Sequence, residues 1–363
     1  MKEPKIRLKG FTGEWEKRFL EDLCTTITPS CKLQSNDYLE TGMYPVVDQS
    51  QSLICGWTNS ASGLITNTPV IVFGDHTCAL KHIDFPFIQG ADGVKILSPK
   101  KGYVSQFLYQ AFLSNPIKQD GYKRHFTEFK EKFFFLPSNE DEQKKIADCL
   151  SEIDSTISLL GKKIDSLKQV KAASLQSMFP QEGETTPRVR FKGFVGDWDV
   201  VTIDSICKKS VSKHSENSLG ENVGQYPIYG ASGYIQNIET YDFDVPYVGV
   251  IKDGSGVGRS QLYPAYSSIL GTMQYILPKG DMDVTFLAYL FETINFSSYV
   301  NGSSIPHIYF KDYSIKNVKV PSINEQRVIG EYFQNLDSQI ALLSQQLEKL
   351  QQIKSACLDN MFV

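Results

Sequence analysis

The sequence predicts an α+β protein in which two duplicated, mixed α/β domains are joined by two long helices that pair along an apolar seam. Three observations predict this fold. Matching segments recur 183 positions apart, one stretch in each copy keeps an unbroken 3.5-residue apolar period, and short strand-like segments precede that stretch. The predicted order is globular domain, helix, globular domain, helix.

The two long helices are predicted from a heptad stripe. Its residues step by 4, 3, 4, 3, 4 and 3 positions in both copies, which is the spacing of a coiled-coil seam. The residues assigned to this coiled-coil interface are Ile146, Leu150, Ile153, Ile157, Leu160, Ile164, Leu167, Ile329, Phe333, Leu336, Ile340, Leu343, Leu347 and Leu350. Two such stripes in one chain can cover each other. Two ordinary amphipathic core helices are the alternative.

Each helix has a predicted start. Asn139 precedes Glu142 by three residues, and Ser322 precedes Glu325 by three, which is the spacing of a capping box. Pro180 ends the first helix. The predicted segments are a globular domain at 1–139, a coiled-coil helix at 140–180, a linker at 181–187, a second globular domain at 188–321 and a second coiled-coil helix at 322–363.

The globular domains repeat as well. Residues 7–16 and 190–199 are identical at six of ten positions, including both tryptophans. Asp75 corresponds to Asp253 and His125 to His307, at slightly different offsets, so the interiors tolerate insertions in loops. Strands are predicted at 70–73, 93–97, 247–251 and 273–277, and helices at 104–113 and 284–291. No regular alternation of strands and helices appears.

Composition narrows the class of protein. The chain has 363 residues, 41% of them hydrophobic, and lacks an apolar run long enough for a bilayer or for a signal peptide. Seven cysteines without a C-x-x-C pair fit reduced thiols, so a cytoplasmic location is expected and a membrane partner is not. A net charge of −4 excludes a protein that is positively charged over its whole surface. DNA binding would therefore need locally focused cations or a partner.

Catalytic and metal motifs are not found. The chain lacks the Asn/Asp-Pro-Pro-aromatic loop of amino-methyltransferases, an H-E-x-x-H pair and a convincing nuclease pattern. The stretch 252–260 imitates the end of a phosphate loop, but Asp253 stands in place of its first glycine and Arg259 in place of its lysine. We therefore expect a non-catalytic chain with no metal and no cofactor.

Polar and basic loops are the positive candidates. Lysine and arginine suit phosphates or guanine edges, and asparagine and glutamine suit adenine. The candidate DNA-binding residues are His76, Thr77, Lys81, Lys118, Lys123, Arg124, His125, Lys252, Ser255, Arg259, Ser260, Ser303, Ser304, His307 and Lys311. Each loop alone fits a solvated surface equally well. The duplication favours DNA contact, because both copies keep a polar glycine loop ahead of the long helix.

These features together give a family resemblance. The chain resembles the specificity subunits of type I restriction–modification systems. The segments that carry this resemblance are Lys9-Gly10-Phe11 with Trp15, Gly74-Asp75-His76-Thr77, Gly90-Ala91-Asp92-Gly93, Tyr226 to Ala231, Lys252 to Ser255, Gly302 to Pro306, and Pro321 to Gln326. Each segment is a weak signal, but the ordered set spans essentially the whole chain.

The resemblance implies two target recognition domains joined by helices that pair antiparallel with pseudo-twofold symmetry. It implies one double-stranded DNA half-site per domain, two adenine-methylating modification subunits and two restriction subunits as partners. S-adenosylmethionine, ATP and Mg²⁺ would be bound only by those partners. The first domain departs from the pattern, because Tyr122 to His125 replaces a Gly-Ser-Ser-Ile-Pro loop.

The same architecture predicts that the long helices act as a ruler, which sets a fixed distance between the two DNA half-sites. A helix of about 35–39 residues is roughly 50–58 Å long, and a rod of roughly 50 Å spans at most about 15 base pairs at 3.4 Å each. Because the recognition loops differ between the domains, the two half-sites should differ and be separated by a fixed gap. The alternatives are a duplicated coiled-coil scaffold without DNA recognition, and a nuclease or methyltransferase in its own right.

Overall fold

The protein divides into two compact units. The computed structural model describes residues 3–220, 222, 224–302 and 304–363. Unit 1 consists of Met1–Gly161 and Gln345–Val363, and unit 2 consists of Lys162–Ser344. Each unit therefore contains one globular domain and part of both long helices.

Unit 1 is built from short strands and helices. Its strands are β1 (Glu16–Phe19), β2 (Cys24–Ile27), β3 (Tyr44–Val47), β4 (Gly56–Thr58), β5 (Leu64–Ile65), β6 (Val70–Gly74), β7 (Leu80–Ile83), β8 (Phe87–Gln89), β9 (Val94–Pro99) and β10 (Phe133–Leu136). Its helices are α1 (Leu20–Leu23), α2 (Ser105–Ser114), α3 (Phe126–Glu131) and the first long helix α4 (Glu140–Met178), which ends in unit 2.

The strands of unit 1 form three sheets. Four antiparallel strands have the order β2-β9-β6-β7, and a second sheet has the order β4-β3-β8-β5, in which β3 and β8 run parallel. Strand β1, near the start of the chain, pairs with β10, directly before α4. This last pairing holds the two ends of the globular domain together.

Unit 2 repeats the elements of unit 1. Its strands are β11 (Asp199–Thr202), β12 (Cys207–Val211), β13 (Tyr226–Gly230), β14 (Gly233–Ile238), β15 (Tyr247–Ile251), β16 (Ser260–Tyr263), β17 (Ser268–Ile269), β18 (Met273–Pro278) and β19 (Asn317–Val320). Its helices are α5 (Ile203–Ile206), α6 (Val284–Glu292), α7 (Phe310–Tyr313) and the second long helix α8 (Ile323–Met361), which ends in unit 1.

The sheets confirm the duplication. The order β12-β18-β15-β16 matches β2-β9-β6-β7, the order β14-β13-β17 matches β4-β3-β8, and β11 with β19 matches β1 with β10. The four predicted strands and the two predicted short helices are found as β6, β9, β15, β18, α2 and α6. The mixed α/β prediction is therefore confirmed in both domains.

Each unit buries the tryptophan of its repeated N-terminal motif. Trp15 packs edge-on against Phe107 of α2 and against Phe362, with ring centroids 6.3 and 6.2 Å apart. Trp198 packs in the same way against Phe286 and Phe179, with centroids 5.9 Å apart in both pairs. Phe179 directly follows α4 and Phe362 directly follows α8. Each thus completes the core of the unit in which its helix ends.

At the start of α4, one of the two hydrogen-bonding interactions of the predicted capping box is found and the other is not. The Asn139 side chain does cap α4, because its Oδ1 accepts the backbone N–H of Asp141 at 2.9 Å and of Glu142 at 3.3 Å. The Glu142 carboxylate, however, accepts two hydrogen bonds from the Arg7 guanidinium, at 2.8 and 2.9 Å. A guanidinium that donates two charge-assisted hydrogen bonds stabilises the carboxylate more than a single backbone N–H does.

Unit 2 contains the equivalent pair. Arg190 donates to both carboxylate oxygens of Glu325 at 2.7 Å. Both glutamates are 1% exposed, and in both units the arginine also donates to a backbone carbonyl of the glycine turn that follows it. The hydrogen bond with its glutamate raises the pKa of each arginine. The repeated arginine and the first turn of the long helix therefore form one anchor.

The glutamine after each glutamate fixes the short helix of the domain. Gln143 Oε1 accepts the backbone N–H of Val104 at 2.9 Å, and its Nε2 donates to the Pro137 carbonyl at 3.0 Å. Gln326 does the same with the N–H of Asp283 and the carbonyl of Pro321, at 3.0 and 2.9 Å. The Glu-Gln dipeptide thus joins the long helix to two other segments.

The predicted seam has two parts. In unit 1, Ile146 and Leu150 are buried in the domain core and Ile153 packs against it, and in unit 2 Ile329, Phe333 and Leu336 belong to the core. The seam residues farther along each helix are buried or half-buried: Ile157, Leu160, Ile164, Leu167, Ile340, Leu343, Leu347 and Leu350. The start of each stripe therefore also serves its globular domain, beyond the helix pairing that the period predicted.

Polar contacts within each unit show that the helices run antiparallel. In unit 1, Asp154 of α4 pairs with Lys354 of α8. In unit 2, Lys171 Nζ lies 2.9 Å from Asp337 Oδ1, and Ser174, farther along α4, bonds to the hydroxyl of Tyr332, earlier in α8, at 3.0 Å. Within the described residues, no helix is both long and apolar enough to cross a membrane.

We predict that Glu142→Ala lowers the free energy of unfolding by about 3 kcal/mol, because it leaves a mostly buried guanidinium without its counter-charge. Urea denaturation measures the loss, and Glu325→Ala is the equivalent test in unit 2. Glu140→Ala is the control, because its pair with Lys144 is half exposed, with side-chain exposures of 52% and 53%, and should contribute little to stability. Equal losses of unfolding free energy for Glu142→Ala and Glu140→Ala would contradict the conclusion that the Arg7–Glu142 pair anchors the long helix.

Candidate nucleic-acid interface

The candidate residues of unit 1 lie mainly on two neighbouring segments. The first is the segment at residues 74–77, which begins at the last residue of the buried strand β6, and the second is the loop at residues 118–125 between α2 and α3. We call these segments the first loop pair. They lie more than 40 residues apart in sequence, and hydrogen bonds between them bring them together.

Asp75 and His125 join the two segments from inside. Asp75 is 2% exposed, and its carboxylate accepts the backbone N–H of Phe126 at 2.8 Å. His125 is fully buried, its Nδ1 donates to the Asp75 carbonyl and its Nε2 accepts the N–H of Asp120, both at 3.1 Å. Both ring nitrogens are therefore used internally, so His125 supports the loop and is not available to DNA.

His76 and Thr77 also make internal contacts. The His76 ring donates from Nδ1 to the Lys123 carbonyl at 3.1 Å, and Gln119 Nε2 donates to the His76 carbonyl at the same distance. Thr77 Oγ1 donates to the Gln49 carbonyl at 2.5 Å. Thr77 therefore shapes the turn. His76 is half-buried and keeps part of its ring at the surface.

The expectation for Lys81 requires correction. Its side chain is 4% exposed, and its ammonium donates to the Asp48 carbonyl at 2.8 Å, with the Asp48 carboxylate 3.8 Å away. Desolvation lowers the pKa of Lys81. The position in β7 points this lysine into the domain, so its charge is not available to a phosphate.

The exposed cations of the first loop pair are Lys118, Lys123 and Arg124. Lys123 Nζ bonds to Asp120 Oδ2 at 2.9 Å, and this hydrogen bond raises the pKa of Lys123. An exposed pair of this kind stabilises the fold little. All three side chains can therefore turn toward a phosphate at small cost to the fold.

Unit 2 brings together the equivalent segments, residues 252–260 and 301–311, which we call the second loop pair. Gly254 N–H donates to the Pro306 carbonyl at 2.8 Å, and Ile308 N–H donates to the Lys252 carbonyl at 2.9 Å. Asp253 and His307 form a β-bridge. Asp253 and His307 thus occupy in unit 2 the positions that Asp75 and His125 occupy in unit 1, as the repeat predicted.

Glycines shape the turn that presents Arg259. Gly254, Gly256 and Gly258 all have positive φ, at 85°, 83° and 87°. A Cβ on Gly256 would lie 2.4 Å from Arg259 Nε, so a side chain there would displace the guanidinium from its position across the turn. Arg259 is exposed, and its Nη2 donates to the Ala231 carbonyl at 3.0 Å. One edge of the guanidinium is held by the protein while the side chain remains at the surface.

The remaining candidates of unit 2 differ in exposure. Ser255, Ser304 and Lys311 are exposed, and the Lys252 ammonium bonds to Asp253 Oδ2 at 2.9 Å. His307 is half-buried, with Nδ1 3.3 Å from the Ile305 carbonyl. Ser260 is less accessible, because its Oγ is buried without a hydrogen-bond partner in the described structure. Ser303 lies outside the described residues.

Sequence reasoning did not single out the aromatic side chains of these loops. Tyr122 is 87% exposed and stacks on the His76 ring, and Tyr309 is 51% exposed beside His307. The signal for Tyr122 was a tyrosine directly between Gly121 and Lys123, which a count of charged residues does not detect. Among the described residues, no group of three or more histidine, cysteine or acidic side chains could hold a metal ion.

Comparison with known families and proteins gives consistent results. The family described as type I restriction modification DNA specificity domain matches twice, at residues 12–169 and 196–352. The specificity subunit of the type I restriction enzyme EcoDI from Escherichia coli is 27% identical over 161 residues, covering 43% of this chain and 35% of that protein. The EcoR124I/EcoR124II specificity subunit from the same organism is 25% identical over 122 residues, covering 32% and 30%.

These alignments span about a third of the length of the two curated relatives. Among the solved structures that match is the S subunit of a type I restriction-modification system from M. genitalium. Its TM-score is 0.77 at 18% identity, with 99% of both chains covered. That similarity confirms the predicted fold, with its two mixed domains and two long helices.

We predict that Lys81→Ala lowers the free energy of unfolding by about 1–3 kcal/mol, because it leaves the Asp48 carbonyl without its buried donor. Urea denaturation measures the change. Lys118→Ala removes an exposed lysine of the same unit and should stay within about 0.5 kcal/mol. Unchanged stability of Lys81→Ala together with weaker DNA binding would restore Lys81 as a DNA contact.

Proposed function

Because the chain belongs to the type I restriction modification DNA specificity domain family, we propose that it is the specificity subunit of such a system. In this role it binds double-stranded DNA and determines which sequence the complex modifies. The observation that carries the proposal is that the family domain occurs twice, and that each copy holds a loop pair with exposed cations together by internal hydrogen bonds.

The two loop pairs favour an asymmetric, bipartite target. The first presents Lys118, Lys123 and Arg124, whereas the second presents Arg259 on a glycine-rich turn and Lys311 in α7. Domains with different loops would recognise different sequences, while two identical domains would bind a palindrome. Each domain therefore reads its own half-site, and the bases between the half-sites are not read.

The partners follow from the proposed role. The chain would dock two adenine-methylating modification subunits, and two restriction subunits would join that core. The net charge of −4 supports the involvement of partners, because it gives the lone chain no general attraction to DNA. S-adenosylmethionine, ATP and Mg²⁺ would be bound by the partner subunits, and the chain itself would catalyse no reaction.

The decisive experiment maps methylation. The full chain is co-expressed with an adenine-methylating modification subunit from the same host, the complex is purified, and random-sequence DNA is methylated and sequenced for modified adenines. A gapped, asymmetric, two-part motif is the expected result. Methylation at no defined motif by an intact complex would exclude sequence recognition.

A scaffold of duplicated interaction domains on a coiled coil is the second candidate function. The near-neutral charge favours it, since nonspecific DNA binding rests on cationic surfaces. The lone chain and its complex separate the two functions in a filter-binding assay with duplex DNA. A scaffold would retain no DNA in either form, whereas a specificity subunit would retain DNA in the complex.

We predict that Arg259→Ala weakens or relaxes recognition only in the half-site read by the second domain, by about 1–3 kcal/mol at the affected position. Methylation mapping measures the preference at every position. Arg188→Ala is the control, because Arg188 is an exposed arginine of the same unit, paired with Glu184 at 2.8 Å in the linker. An equal loss at both half-sites would argue against a base contact by Arg259.

We predict that seven residues inserted into both long helices, between 161 and 162 and between 344 and 345, lengthen the unread gap. Seven helical residues add about 10.5 Å, which equals about three base pairs at 3.4 Å each. Methylation mapping should show unchanged half-sites with the longer gap. The same insertion in the linker at 181–187 should leave the gap unchanged, and an unchanged gap in the helix variant would refute the ruler.

A further inference from the structure

Tyr122 is an exposed aromatic side chain at the tip of the first loop pair. It is 87% exposed, yet its ring is ordered against His76, with centroids 4.7 Å apart and an angle of 8° between the planes. A single exposed aromatic residue is common on protein surfaces and needs no function. Here the support beneath the ring distinguishes it from such a residue.

His76 forms a fixed platform for Tyr122. Its Nδ1 donates to the Lys123 carbonyl at 3.1 Å, and its backbone N–H donates to Gln49 Oε1 at 3.2 Å. A Cβ on Gly93 would lie 2.9 Å from His76 Cδ2, so the imidazole also packs closely on that glycine. The parallel stack is thus held in place before any ligand arrives, which lowers the entropy cost of binding.

The loop that carries Tyr122 is anchored on both sides. Gln119 Nε2 donates to the His76 carbonyl at 3.1 Å before the tyrosine, and the backbone N–H of buried His125 donates to the Asp75 carbonyl at 2.8 Å after it. Gly121 has a φ of 66°, a conformation that favours glycine, and the chain bends at residues 121–123. The tip therefore projects the ring from a loop with fixed ends.

The chemistry around the ring fits nucleic acid. Lys118, Lys123 and Arg124 are exposed on the same loop and can neutralise phosphates. A phenol ring cannot, but its face and edge can contact a base, as aromatic and apolar groups do with a thymine methyl group or a partly unstacked step. The ring and the cations would therefore contact different parts of the DNA.

We infer that Tyr122, held on His76, contacts a base in the half-site read by the first domain and contributes to the choice of that base. This inference rests on the proposed function. The contact is made by the aromatic ring, while the cations of the loop bind phosphates. Tyr122 is thus a specificity residue, and His76 is its positioning residue.

The second loop pair contains a related group. The Tyr309 ring is 51% exposed, its centroid lies 4.9 Å from that of His307 at an angle of 68°, and Lys311 Nζ lies 5.5 Å from the Tyr309 centroid. A histidine, a tyrosine and a lysine therefore recur, with an edge-on contact in place of a parallel stack. The different geometry fits the recognition of a different sequence.

The test uses the full chain in complex with its modification subunit and random-sequence DNA. The wild-type complex first gives the methylated motif, which tests the proposed function by itself. Tyr122→Ala is then expected to reduce discrimination about tenfold at one or two positions of one half-site, because the ring contact with the base is lost. The other half-site should keep its preference.

Further variants separate base contact from general effects. Tyr122→Phe removes only the hydroxyl and should lose less discrimination than Tyr122→Ala. Lys123→Ala should weaken binding to all sequences alike and reduce the slope of log affinity against log salt by about one. Tyr309→Ala should act on the opposite half-site. Tyr234→Ala removes a tyrosine that is 56% exposed on β14 and should change neither half-site.

The possible outcomes decide the inference. A wild-type motif that Tyr122→Ala leaves unchanged, or an equal loss on every sequence, overturns the role of Tyr122 and leaves the proposed function intact. A wild-type complex without a defined motif overturns both. His76→Ala should reproduce the half-site defect of Tyr122→Ala in a milder form. Urea denaturation checks that both variants remain folded.

Discussion

Two buried arginine–glutamate pairs determine how the rest of this protein is assembled. Arg7 with Glu142, and Arg190 with Glu325, connect the start of a globular domain to the first turn of a long helix 135 residues later. Each glutamate is nearly inaccessible to water and needs its counter-charge. The pair fixes where the helix leaves the domain, and the neighbouring glutamines fix the short helix that lies against it.

The long helices therefore serve two purposes within each unit. Their first turns complete a domain core, as Leu150 and Phe333 show, and their later residues form the half-buried helix pair. The ion pairs of Asp154 with Lys354 and of Lys171 with Asp337 recur at equivalent positions of that helix pair. The period of 3.5 residues predicts only the helix pair. It does not predict the packing into the domain core, because a heptad stripe does not reveal which residues cover it.

The loop pairs show how the domains combine a fixed support with variable chemistry. Asp75 with His125, and Asp253 with His307, place two distant loops side by side in each unit. The side chains at the tips differ, with a tyrosine and cations in one domain and a glycine-rich turn with Arg259 in the other. A framework of this kind allows the tips to change without loss of the fold.

The sequence by itself determined the duplication, the two long helices, the principal strands and the family, because these depend on periodicity and on order along the chain. It also predicted that both copies keep a polar glycine loop ahead of the long helix. Only the tertiary structure decided which polar residues are free. Lys81 and His125 look like DNA contacts in sequence but are buried and bonded internally. Glu142 pairs with Arg7 and not with its own helix cap, and Tyr122 rests on His76, because contacts between distant segments leave no local pattern.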